Sequence, residues 1–250
     1  MNVNDFVRLA AKRILPAQVR RWMRTQQHNL SLSPALGRAR FGSLRRLTPI
    51  SPIFGLERGQ GIDRYYIEDF LARHRTDIRG RVLEVANNSY TTRFGGENVT
   101  RSDVLHVQDG NPHATIVADL TANNLPPDMF DCIILTQTLP FIYETREALR
   151  TLYRILKPGG VLLATLPGIS QISRYDMQRW GDYWRFTSHS ARRLFEEVFP
   201  AANIAVQTHG NVLVAAALLY GLAAEELRKH ELAHHDPDYE LVITVRAFKS

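Results

Sequence analysis

Short apolar runs alternate with stretches of helical periodicity from residue 62 to the C-terminus. Gly80–Ala86, Asn98–Val107, Ala114–Ala118, Phe130–Leu135 and Val161–Leu166 read as strands, and the last two are apolar enough to be buried on both faces. Between and around them lie helical stripes. Tyr66, Ile67, Phe70 and Leu71 share one face of a helix that Asp63 can cap. Ala148, Leu149, Leu152, Ile155 and Leu156 share one face over Glu144–Leu156. That helix has Glu144 and Glu147 at its start and Arg154 and Lys157 at its end, a polarity that complements the helix dipole. Pro158-Gly159-Gly160 is expected to stop it before the next strand. Further on, Thr187 caps an expected helix over Ser188–Phe199, Asn203–Gln207 and Glu240–Ala247 read as strands, and Val212–Leu227 reads as a buried helix or a dimer surface. Strand and helix in alternation predict a mostly parallel sheet covered on both sides, a three-layer α/β domain over residues 62–250. One link is short. Only the eleven residues Asn87–Glu97 join the first two strands, which predicts a stunted helix or turn around Thr91–Phe94.

Residues 1–61 differ in kind. The first 46 hold ten Lys and Arg against Asp5 alone, so the chain's net charge of +6 belongs to an arm and the remainder is slightly acidic. Val3, Phe6, Val7, Ala10, Ala11, Ile14 and Leu15 recur at helical spacing there, with Arg8, Lys12 and Arg13 on other faces. Two readings stand: a basic amphipathic helix in peripheral contact with an anionic membrane through residues 1–46, or a helix packed on the domain or on a partner. Arg-rich, acid-poor composition also suits a mitochondrial transit peptide. Residues 29–60, rich in Ser, Pro, Gly and Arg, read as an irregular linker. No run approaches the roughly 18–20 apolar residues of a membrane span. The single cysteine, Cys132, falls inside an expected buried strand, which fits a core residue in a reducing cytoplasm, at the inner face of the membrane if the arm binds there. The run His230–His235 lacks the paired spacing of a zinc motif, so no metal site is expected.

The chemistry gathers around FDCIILTQTLPFIYETREALRTLYRILKPGGVLLATLPG, Phe130–Gly168. An aromatic-Asp pair opening a strand, followed by RILKPGG before a second apolar strand, resembles the fourth and fifth strands of class I S-adenosylmethionine-dependent methyltransferases, in particular the type 11 group. The resemblance covers about residues 80–200. It implies a Rossmann-like seven-stranded sheet in the order 3-2-1-4-5-7-6 with the last strand antiparallel. It also implies S-adenosylmethionine as cofactor, held by Glu84, Ala86, Asn87, Ser89, Asp103, Asp119, Leu120, Thr136 and Gln137. Asp103 would meet the ribose hydroxyls and Asp119 the adenine amino group. The helix before the first strand often closes over the cofactor in this family, a role open to Tyr65 and Tyr66, which equally suit a buried aromatic face. One departure stands out. The family's glycine-rich turn is replaced by Glu84-Val85-Ala86-Asn87-Asn88-Ser89-Tyr90, with no glycine until Gly95. Asn tolerates left-handed backbone, so Asn87 or Asn88 is expected to take the turn position.

Tyr175 to Thr187 contains DYWRFT, which resembles a motif of a methyltransferase subgroup found with cell-surface glycan enzymes. Tyr175, Trp180, Tyr183, Trp184 and Arg185 are the expected acceptor contacts, with Asp182 and Asp176 as candidate bases and His189 and His209 as alternates. The aromatic residues equally suit packing of the loop onto the following helix. The leading expectation is O-methylation of a sugar or another small hydroxyl acceptor. Its rival is a catalytically inactive methyltransferase-fold scaffold beside a glycosyltransferase, which the missing glycines favour. Nucleic-acid methylation ranks last, because the basic arm carries no nucleic-acid motif.

Overall fold

A computed structural model describes residues 18–19, 34, 37–122 and 124–250. The chain divides into two compact units, residues 1–47 and 48–250. In the first, the described residues include the helical pair 18–19 and a 3-10 turn, Gly42–Leu44. The arm helix expected over Val3–Leu15 lies outside the described residues. The second unit begins 14 residues before the expected boundary at 62. Its opening segment is tied down, with Ile50 N donating to Tyr220 O at 2.8 Å and Ser51 fully buried.

The second unit is built on one seven-stranded sheet: β1 (Gly80–Val85), β2 (Val99–His106), β3 (Ile116–Val117), β4 (Phe130–Thr136), β5 (Leu156–Pro167), β6 (Ile204–His209) and β7 (Val242–Phe248). The order is β3-β2-β1-β4-β5-β7-β6, as expected. β1 to β5 pair in parallel, and β7 runs antiparallel to both its neighbours. Alternation along β4 shows why both faces must be covered. Ile133 and Leu135 point into one apolar layer and Cys132 and Ile134 into the other, all at 0% exposure. The first layer is closed by α2 (Thr145–Ile155) through Ala148, Leu149, Leu152 and Ile155, and by α4 (Ser188–Glu196) through Ala191 and Phe195. The second is closed by α1 (Ile62–Arg73) through Tyr66, Ile67, Phe70 and Leu71, and by α5 (Val212–Tyr220) through Val214, Ala217 and Leu218. A short α3 (Arg174–Met177) lies after β5 and α6 (Lys229–Ala233) before β7. Burial pushes the Cys132 thiol up, which keeps it a core residue rather than a nucleophile.

Three local expectations are corrected. α1 starts at Ile62 with Gly61 as its cap; Asp63 lies inside the first turn, its Oδ1 accepting from Arg64 N at 2.8 Å. Pro158-Gly159-Gly160 does not separate helix from strand. Phe130 already pairs with Leu156 and Cys132 pairs with Val161, so Lys157–Gly160 bulges out of a continuous β5. A Cβ on Gly160 would lie 2.9 Å from Phe130 O, which is why a glycine stands in that bulge. α5 ends at Tyr220, where Gly221 takes a left-handed cap, and Val212, Leu213 and Leu219 are exposed. The short link after β1 is, as expected, a single helical turn, here a π-helical one over Thr91–Gly95.

His209, an alternate base by sequence, stacks on Tyr66 at 5.4 Å and meets Thr244 Oγ1 at 3.2 Å. Burial pushes its pKa down to about 4, with Arg73 adding to the effect. The unfolded chain therefore binds a proton at His209 that the folded chain refuses, between the ordinary histidine value of about 6.5 and 4. Stability should fall as pH drops through that window. Denaturant titrations at pH 7.5 and 4.5 are expected to show the loss, and His209→Gln should reduce it; an equal loss in both proteins would contradict this placement.

Candidate active site

A cavity of about 790 Å³ opens at the C-terminal ends of the parallel strands. Glu84 and Ala86 line it from β1, His106 from β2, Thr136 and Gln137 from β4, and Pro167 from β5. This is where strand order reverses between β1 and β4, the place where an open parallel sheet leaves a crevice for a ligand.

The turn after β1 is held by Glu84, 3% exposed. Its Oε2 accepts from Thr91 N and Thr91 Oγ1, both at 2.7 Å, and its Oε1 from Tyr90 N at 3.2 Å. Burial nevertheless pushes its carboxyl above the ordinary value. The left-handed position falls on Ala86, at φ 71°, and neither Asn87 nor Asn88 takes it. Ala86 N donates to Leu105 O at 2.9 Å, and Asn111 Nδ2 donates to Ala86 O at 2.7 Å. These bonds hold a conformation that costs a non-glycine residue about 1–2 kcal/mol. Among the described residues only four that are not glycine have positive φ: Phe54, Ala86, Asp128 and Gln137. Three of them, Phe54, Ala86 and Gln137, line this cavity. Backbone strain is thus concentrated at the crevice, as functional sites tend to show.

Most of the expected cofactor residues come together here: Glu84, Ala86, Asn87, Ser89, Asp119, Leu120, Thr136 and Gln137 all line the cavity. Asp119 Oδ1 accepts from Thr121 N and Thr121 Oγ1 at 2.8 Å, which fixes the carboxylate at the rim. Asp103 does not belong with them. It sits mid-strand, 1% exposed, with Arg81 Nε at 2.7 Å, Arg101 Nη2 at 3.1 Å and Thr115 Oγ1 at 3.1 Å. Although burial opposes it, these partners hold the Asp103 carboxyl below its ordinary range, and they leave it a structural ion pair. β2 continues three residues further, so the strand-end positions are His106 and Gln108, which do line the cavity. Counting the strand to its end, rather than stopping at the acidic residue, would have found them. Neither Tyr65 nor Tyr66 reaches the cavity. Tyr66 is buried with its hydroxyl on Leu232 O, and α1 instead contributes Asp63 and Arg64.

The opposite wall is the loop from Ser170 to Arg185. It is anchored at both ends. Gly168 N donates to Leu241 O at 3.0 Å, Phe186 N to Pro167 O at 2.9 Å, and Tyr183 N to Pro140 O at 2.9 Å. Asp182 closes it from within. Its side chain is 1% exposed, takes a bidentate pair from Arg185 at 2.5 and 2.9 Å, and accepts from Ser173 N at 3.0 Å. Despite the opposing effect of burial, Arg185 and Ser173 hold its carboxyl below the usual range. Arg185 Nη2 also bonds Gln171 O at 2.6 Å, so the pair clamps the loop. An oxygen so fully engaged is a poor proton acceptor, and the structure moves Asp182 from candidate base to anchor. Asp176 lines the cavity, with Ser173 Oγ on its Oδ2 at 2.5 Å. Trp180, Tyr183 and Arg185 line it too, while Tyr175 and Trp184 fall outside. Tyr175 stacks under Arg179 and is 64% exposed; Trp184 stacks on Tyr143 at 5.6 Å. Trp180 meets His106 edge-on at 5.4 Å, which joins the loop to the end of β2. His189 is exposed on α4 and does not line the cavity.

Residues 71–164 match the family model described as a methyltransferase domain. The ubiquinone/menaquinone biosynthesis C-methyltransferase UbiE of Pectobacterium carotovorum is 41% identical over 97 residues, 38% of this chain and 37% of that protein. The chain thus spans little more than a third of this curated relative's length. Among solved structures, the N-methyltransferase NodS of Bradyrhizobium japonicum, bound to S-adenosylhomocysteine, has 13% identity and a TM-score of 0.49 over 80% of this chain and 93% of its own. The [4+2]-cyclase SpnF has 20% identity and a TM-score of 0.49 over 77% of this chain and 83% of its own. The strand order and the matched segment together define a class I methyltransferase fold.

The clamp gives a direct expectation. Asp182→Asn should destabilise the chain by about 1–3 kcal/mol, because it leaves Arg185 and Ser173 N without their charged acceptor. Since the folded carboxyl is held low, that contribution is present above the unfolded aspartate value of about 3.9 and lost as pH falls through and below it. Chemical denaturation at pH 7 measures it; an unchanged midpoint would return Asp182 to the list of free carboxylates.

Proposed function

We propose that the chain binds S-adenosylmethionine in the 790 Å³ cavity and transfers its methyl group to a hydroxyl of a small acceptor, a sugar being the leading class. The observation that carries this is the cavity's position and lining. It lies at the switch between β1 and β4 of a methyltransferase fold, with Glu84 and Asp119 at its strand-end rim. Asp119 is suited to accept from the adenine amino group. The family match ends at residue 164, before the loop, so the acceptor must be argued from the loop itself. Trp180 and Tyr183 offer flat faces to a ring, which fits a hydroxylated ring better than a charged macromolecule.

The sulfonium supplies the reactive methyl group, and the protein's part is alignment of oxygen, methyl carbon and sulfur. As the carbon–oxygen bond forms and the carbon–sulfur bond breaks, the hydroxyl proton needs an acceptor. Of the two loop aspartates, Asp176 keeps one oxygen outside its bond to Ser173, and that oxygen is assigned the role. Calorimetry with S-adenosylhomocysteine tests the reading. Binding is expected at one site per chain, and Asp119→Ala should weaken it by about 1–3 kcal/mol through loss of a charged hydrogen bond. Absence of heat at millimolar ligand would favour the non-catalytic scaffold.

A further inference from the structure

S-adenosylmethionine carries a carboxylate, and a cavity that takes it must neutralise that charge. The turn after β1 has only the neutral amides of Asn87 and Asn88 left to offer it. The amides of Ala86, Ser89, Tyr90 and Thr91 already donate to Leu105 O, Asn87 Oδ1 and the two oxygens of Glu84. Ala86 also places a methyl group there, where a glycine would let a ligand approach the chain. A side chain must therefore supply the charge.

Among the described residues that line the cavity, the arginines are Arg64, Arg179 and Arg185, and lysine is absent. Arg185 is consumed by its bidentate pair with Asp182. Arg179 lies 3.5 Å over the Tyr175 ring and donates to Tyr175 O at 2.8 Å. Arg64 is different. Its nearest carboxylate, Asp63, is 3.8 Å from Nε, too long for a hydrogen bond, and its one side-chain hydrogen bond runs from Nη1 to Tyr90 OH at 3.3 Å. A guanidinium has five N–H donors in a planar fork that matches a carboxylate, so most of this fork is unspent. Tyr90 belongs to the β1 turn, and its hydroxyl holds Arg64 over that end of the cavity. The first turn of α1, capped by Gly61 without a side-chain bond, adds a positive dipole end to the same place.

We infer that Arg64 is the cofactor-anchoring residue: its guanidinium takes the carboxylate of the amino-acid end of S-adenosylmethionine, in place of a glycine-rich backbone cradle. This rests on the proposed cofactor, and the test separates the two. Calorimetry on the full chain compares S-adenosylhomocysteine with its decarboxylated analogue, which keeps the nucleoside, thioether and amine. Arg64→Met preserves the apolar stem and removes the fork. The variant should bind S-adenosylhomocysteine about 10- to 100-fold more weakly, the worth of a charged hydrogen-bonded contact, and bind the decarboxylated analogue within about two-fold of the unchanged protein. Arg64→Lys should recover part of the loss, because it restores charge without the fork. Equal weakening toward both ligands would make Arg64 a structural residue and overturn the assignment, as would no weakening at all. If the unchanged protein binds neither ligand, the cofactor reading itself fails and Arg64 falls with it.

Discussion

Glu84 stands one residue before the end of β1 with 3% of its surface exposed, and its two oxygens take three hydrogen bonds from the turn that follows. Those bonds do the work that glycine flexibility would otherwise do. They fix Tyr90 and Thr91 beside the left-handed Ala86 and help set the floor of the cavity between β1 and β4. The same bonds take two of the amides that could have met an anion, those of Tyr90 and Thr91. A turn bound by its own carboxylate leaves charge recognition to side chains, and the ones at hand come from α1 on one side and the Ser170–Arg185 loop on the other.

The two walls are built by different means. The first wall is strand-end geometry: short loops leaving parallel strands, held by strained residues at Ala86 and Gln137 and by the Asp119–Thr121 turn. The opposite wall is an ion pair inside a loop. Asp182 and Arg185 join residues 171, 173, 182 and 185 into one body. Gly181, at φ 92°, lets the Tyr183 ring pack where a Cβ would lie 2.3 Å from it. Such a loop can change its exposed aromatic residues without disturbing the strand-end wall.

The fold was legible because buried parallel strands carry near-continuous apolar runs, and helices between them carry one apolar stripe. β4 and α2 are found from those patterns almost to the residue. The errors have physical causes. Lys157–Gly160 contains helix-stopping residues, but a bulge needs the same ones, and only pairing to Phe130 tells them apart. Asp103 looked like a strand-end acid because sequence does not show that Arg81 and Arg101 lie beside it. Asp182 looked like a base for the same reason: its partner Arg185 is three residues away on a loop whose shape periodicity cannot give. Ala86 taking the left-handed position against propensity follows from its bonds to Leu105 and Asn111, contacts made only in the folded chain.

The central claim is that a ligand with the shape of the cofactor lies across the switch point between β1 and β4. A crystal structure of the full chain soaked with S-adenosylhomocysteine tests it most directly. The account predicts ligand density inside the cavity, with adenine beside Asp119, the thioether facing Trp180 and Tyr183, and the amino-acid end near the Glu84–Tyr90 turn. Density elsewhere on the chain, or an empty cavity at saturating ligand with its entrance open in the lattice, would contradict it.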